Sequence, residues 1–121
     1  MDAERLRRLA FGAAIGLLAI GACVQARAGQ STIVECIEGS DFIANAAASR
    51  DNGMSRKAFL ERLEGDFLAI RAYPVALRWF VKDADDERFL RSAVADVYDR
   101  PQAPDRHRER FFAACVSRAA A

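Results

Sequence analysis

Histidine occurs once in this 121-residue chain, as His107, and tryptophan once, as Trp79. A single imidazole inside a charged turn, with no thiol to spare, argues against histidine-based nucleophilic triads and zinc hydrolase sites. His107 reads as a solvated surface residue. No glycine-rich phosphate loop is present. Charge of one sign is missing too: 18 lysines and arginines face 17 aspartates and glutamates. Nothing in that balance drives nucleic-acid binding through phosphate neutralisation. Valine and isoleucine are sparse and alternating segments are absent, which excludes a sheet-based fold. The longest apolar run, Leu9–Val24, has 16 residues and carries Gly12, Gly16 and Gly21. A spanning helix wants roughly 18–20.

That run has another use. Arg5, Arg7 and Arg8 precede it, and Ala26-Arg27-Ala28 follows as an A-x-A cleavage pattern. Residues 1–28 therefore read as a cleaved export signal, with a retained anchor helix as the lesser alternative. Arg7-Arg8 lacks the Phe that the twin-arginine route expects, since Ala10 stands there. Ile20-Gly21-Ala22-Cys23 resembles a bacterial lipobox, so acylation at Cys23 with membrane tethering stays open beside release at Ala28. Release leaves residues 29–121 as one domain in the periplasm or outside the cell. Arg5, Arg7, Arg8 and Arg27 leave with the signal against Asp2 and Glu4, which turns a formal charge of +1 into −1.

The released part keeps two cysteines, Cys36 and Cys115, one near each end. In an oxidising compartment such a pair bonds. Closing a loop of this length stabilises by about 4.5 kcal/mol in the chain-entropy model. That is comparable with the whole stability of a small domain.

The remaining pattern is helical, and predicts an all-α bundle of four to five short helices closed by one disulfide. Ser31 or Thr32 caps a first helix with Ile33, Cys36, Ile37, Ser40, Ile43 and Ala47 on one side, stopped at Asp51-Asn52-Gly53. Ser55 caps a second, with Met54 stapled on Phe59 and Gly65-Asp66 as an interruption. A third apolar stretch breaks near Tyr73, before Pro74, and carries Leu77, Phe80 and Val81 as a helical stripe. Asp83, Asp85 and Asp86 cap a helix with Phe89, Leu90, Ala93, Val94, Val97 and Tyr98 inside, and Arg88 and Arg91 outside. Pro104 opens a last helix, Asp105–Ala119, with Phe111, Phe112, Cys115 and Val116 inside.

Candidate chemistry is thin. Glu61, Glu64 and Asp66 form a carboxylate cluster that could serve glycosidic acid/base work, but on an amphipathic helix it reads as a solvated face. The Asp83–Asp86 run lacks the glycine and terminal glutamate of a calcium loop. No metal or cofactor is expected. Arg50-Asp51 is either a turn-fixing ion pair or an exposed recognition corner. Trp79 with Phe80 is either core or a partner anchor.

The order Cys36, Arg50-Asp51-x-Gly53-x-Ser55, Val97-Tyr98-x-x-Pro101, Phe111/Phe112, Cys115 resembles a group of small exported proteobacterial proteins of uncharacterised function. The resemblance implies a helical domain closed by Cys36–Cys115, with Arg50, Asp51 and Tyr98 in its framework, and no activity. The expectation is a non-catalytic exported protein that binds another protein or an envelope component, as an inhibitor or immunity-type partner does. An acid-stress chaperone is the second reading and a small envelope enzyme using Glu61 or Glu64 the third. A membrane enters only through Cys23 or a retained signal.

Overall fold

Thr32 opens the first helix. In the computed structural model, which describes residues 31–121, its hydroxyl accepts the Glu35 backbone N–H at 3.1 Å. The Glu35 carboxylate in turn accepts the Thr32 backbone N–H at 3.3 Å, completing a capping box. Helix α1 then runs Ile33–Asp51. It ends in a Schellman motif: Met54 N–H donates to the Ser49 carbonyl and Gly53 N–H to that of Arg50. Gly53 takes a φ of 95°, the left-handed position where a side chain is strained. The expected export signal, residues 1–28, and the expected acylation site Cys23 lie outside the described residues.

Helix α2 spans Arg56–Arg71, capped by Ser55, whose hydroxyl accepts the Ala58 N–H. Gly65-Asp66 does not interrupt it, contrary to the expectation. Leu63 and Phe67, four residues apart on either side of Gly65, are both fully buried. Their packing outweighs the helix penalty of one glycine, about 1 kcal/mol. The break near Tyr73 is present. Helix α2 ends at Arg71, and a 3-10 turn, Val75–Leu77, follows Pro74.

The expected stripe of Leu77, Phe80 and Val81 is not helical. Phe80 and Val81 are buried, but Leu77 is 71% exposed. Helix α3 covers Ala84–Asp99, with Asp83 as the expected N-cap. Helix α4 covers Pro104–Ala120 with proline in its first turn.

The described residues thus form an all-α bundle of four helices. Helix α1 is central, packing most extensively on α4 and also on α3, while α2 packs on α3. Its buried face is Cys36, Gly39, Ser40, Ile43, Ala44, Ala46 and Ala47. Ile33 and Ile37, expected inside, point outward. The small side faces inward because α4 approaches it closely: a methyl at Gly39 would sit 2.7 Å from the Phe111 ring. Cys36 and Cys115 are bonded across this contact with Cα atoms 5.6 Å apart, both fully buried. Aromatic rings complete the core, Phe80 lying 5.6 Å from Phe111 and Phe89 5.2 Å from it, centroid to centroid. A disulfide of this kind fits an oxidising compartment. No helix among the described residues is long and apolar enough to cross a membrane.

Candidate functional site

Arg50 sits at the last turn of α1 and reaches the end of α3 and the turn that follows it. Its terminal nitrogens donate to the carbonyls of Val97 and Gln102, each at 2.7 Å. Nε and Nη2 also bond the Asp51 carboxylate, at 3.1 and 2.9 Å. The guanidinium therefore ties α1 to the turn between α3 and α4. Tyr98 does similar work from α3, its hydroxyl donating to the Met54 carbonyl at 2.9 Å. Burial pushes the Tyr98 phenol up from its ordinary value. Arg50, Asp51 and Tyr98 are framework residues in this arrangement.

His107 departs from its expected surface position. It is only 3% exposed, beneath the same turn. Its Nε2 accepts the Gln102 backbone N–H at 3.0 Å and lies 3.4 Å from an Arg50 nitrogen. Burial first, and then the Arg50 cation, lowers its pKa from the ordinary value. The ring is a neutral hydrogen-bond acceptor with its lone pair occupied, so it has no basic nitrogen to offer a substrate. The sequence signal that could have found it is the spacing: a histidine three residues after the helix-opening Pro104 points back at the preceding turn.

The carboxylates expected as an alternative catalytic cluster are dispersed into ion pairs. Glu61 meets Lys57 at 3.8 Å and Glu64 meets Arg91 at 2.6 Å, while Asp66 is exposed. Acid/base work needs two carboxylates in unequal environments. Arg91, expected outward, is half-buried over the Phe67 ring, 5.3 Å from its centroid. Glu87 is buried at the start of α3 and bonded to Arg71, which holds its carboxyl below the ordinary value. Asp86 is buried as well, accepting the Lys82 backbone N–H and bonding Arg118, each at 2.9 Å. Among the described residues no cluster of histidine, cysteine, aspartate and glutamate is arranged to hold a metal.

The connection between α2 and α3 is built differently. Arg78 lies at its centre and donates to three backbone carbonyls, Tyr73 at 2.9 Å, Lys82 at 3.0 Å and Arg71 at 3.2 Å. Lys82 bonds the Arg78 carbonyl in return and pairs with Glu35 at 3.4 Å. Phe80 then turns the chain into the core with a φ of 34°, which brings the Val81 N–H against the Trp79 carbonyl. Such a conformation costs a bulky residue about 1–3 kcal/mol.

The result is an ordered loop that nevertheless displays Tyr73, Val75 and Leu77 to solvent, with Leu68 exposed on the preceding helix. Trp79 is half-buried, its indole N–H on Glu38 at 2.8 Å and its ring 5.9 Å from Phe42. Trp79 also lines an apolar groove of about 340 Å³ between α1 and α2, with Phe42, Leu63, Phe67 and Ile70. A second hollow of about 270 Å³ shares Phe42, Leu63 and Asp66 and extends the groove toward Asn45 and Arg62. Arg78 was not singled out by sequence reasoning, because a loop arginine carries no pattern that reveals backbone acceptors. No family model, curated protein or solved structure matches the chain.

Proposed function

We propose that this is a non-catalytic, exported protein that binds another protein of the cell envelope, in the manner of an inhibitor or immunity-type partner. The observation that carries the reading is the α2–α3 connection. Exposed Tyr73, Val75 and Leu77 are large and apolar, yet Arg78 and the Phe80 turn hold their backbone in one shape. Pre-ordering limits the entropy lost on association, and a few residues, with tyrosine among the enriched types, carry most interface energy, which makes Tyr73 the leading anchor. The groove lined by Trp79 and Ile70 offers a second apolar recess. The disulfide and the export-type N-terminus support an oxidising compartment.

The test is affinity capture of the released domain from envelope extract, read by mass spectrometry, beside a Val75→Asp/Leu77→Asp variant. A stoichiometric protein held by the native chain and lost by the variant supports the reading. Identical captures by both sink it. Intact mass of the exported protein distinguishes a start at Gly29 from an acylated start at Cys23.

A second reading, an acid-stress chaperone, is favoured by one observation. Buried His107 and the buried carboxylate of Glu87, bonded to Arg71, both oppose protonation. It requires dye-binding apolar surface and client protection at about pH 2–3. A native, client-inert protein at that pH overturns it.

A further inference from the structure

Beside the His107 corner, the bundle holds a hollow that the α2–α3 connection does not use. It lies between α3 and α4, has a volume of about 280 Å³, and its floor is Ile43 of α1 with Phe89 and Phe111. Small side chains open it: Ser92 and Ala93 on α3 and Ala114 on α4 line its walls. The rim is charged. Arg100 reaches Asp96 through Nε at 3.0 Å, and Arg110 reaches the other oxygen of the same carboxylate from α4 at 3.4 Å. Two cations thus share one anion. Asp99, next to Arg100 in sequence, is held by Arg56, and Glu109, next to Arg110, forms no ion pair with either arginine. Both arginine side chains remain largely open to solvent, at 76% and 49%.

We propose that this cleft binds one molecule of a single-chain anionic amphiphile, its carboxylate on Arg100 and Arg110 and its chain over Ile43, Phe89 and Phe111. Chemistry selects this class. A bare inorganic anion leaves the apolar floor wet, and a neutral lipid leaves the cationic rim without a partner. Each guanidinium has five N–H donors, and Asp96 engages one nitrogen of each, so an incoming carboxylate adds bonds without displacing the pair. Small-molecule sites are characteristically apolar with a few convergent polar groups, and this cleft is near the lower end of their usual size.

His107 lines the cleft and supplies the reporter, since the chain has one imidazole. The charged groups acting on it are Arg50 and Asp51 of α1, Asp96 of α3 and Arg110 of α4. A bound carboxylate adds a negative charge to that set and raises the His107 pKa.

The experiment is a titration of the released domain with decanoate below its micelle concentration, following the His107 ring resonances by NMR. Acetate, decanol and phosphatidylglycerol vesicles are the controls. Saturable one-to-one binding is expected, with an upward-moving His107 titration and no comparable effect of acetate or decanol. Arg100→Glu/Arg110→Glu should weaken it by about tenfold or more. Ala114→Phe, which fills the cleft at a solvent-facing position, should abolish it while the circular dichroism spectrum stays native. No saturable shift, an equal response to acetate or decanol, unchanged affinity in the folded Ala114→Phe protein, or binding to vesicles alone overturns the proposal.

Discussion

Arg50 shows how one side chain can hold a small bundle together. It satisfies the carbonyl of buried Val97 and, at the exposed turn, that of Gln102. Arg50→Ala should destabilise by about 2–3 kcal/mol in urea unfolding, because charged hydrogen bonds are lost and the Val97 carbonyl is left unpaired. Arg50→Lys should recover only part, since an ammonium lacks the fork that meets both carbonyls.

His107 makes stability depend on pH at the same corner. Its folded pKa lies below the ordinary 6.5, so the unfolded chain takes up the proton first as pH falls. The stability it contributes is complete above about pH 6.5 and is lost below it until the folded pKa is passed. Glu87 works in the same direction at lower pH. Its carboxyl is held below the ordinary 4.5, so its contribution is present above that value and disappears as pH falls through the folded one. Denaturation midpoints should therefore drop between about pH 7.5 and 5, and His107→Gln should flatten that first step while leaving the later one.

At the level of elements, two helical glycines have opposite meanings. Gly65 sits on the outer side of α2 with open space around it. Gly65→Ala should stabilise by about 0.5–1 kcal/mol, seen as a raised Tm. Gly39 on α1 lies beneath the Phe111 ring, which is itself packed on Phe80 and Phe89. Gly39→Ala should lower the Tm despite its better helix propensity, because a buried ring has to move. The contrast also explains an error of reading. Gly65 followed by Asp66 looks like a break in a one-dimensional pattern, but Leu63 and Phe67 anchor the helix on both sides of it. The connection after α2 misleads in the other direction. Leu77, Phe80 and Val81 have helical spacing, and only the turn at Phe80 separates an exposed Leu77 from its buried successors.

Across the whole molecule, the Cys36–Cys115 bond joins residues separated by 79 positions and clamps the first helix to the last. Reduction, or replacement of both cysteines by serine, should remove about 4.5 kcal/mol of stability in the chain-entropy model. Unfolding curves with and without reductant check this, and a shift under about 1 kcal/mol would show that the helix packing closes the bundle unaided.

The all-helical class, the cap at Ser55, a cap at Ser31 or Thr32 and another in the run Asp83, Asp85 and Asp86, the stop at Gly53 and the pairing of two cysteines follow from the sequence alone. Each rests on a local rule: a side chain satisfying nearby backbone groups, a glycine supplying a positive φ, or an even cysteine count. The sequence left Arg50-Asp51 as a turn-fixing pair or a recognition corner, and Tyr98 had a framework role only through the resemblance; Arg50 and Tyr98 bond carbonyls 44 to 52 positions away, while Asp51 bonds the adjacent Arg50. Three further features were left to the tertiary structure: the rotation of α1 that turns Ile33 and Ile37 outward, the burial of His107, and the ordering of the exposed α2–α3 connection by Arg78. None is local. The face of α1 depends on how closely the Phe111 ring can approach Gly39, and His107 is neutral because the chain folds a turn over it. Arg78 shapes the loop through carbonyls that no residue type announces.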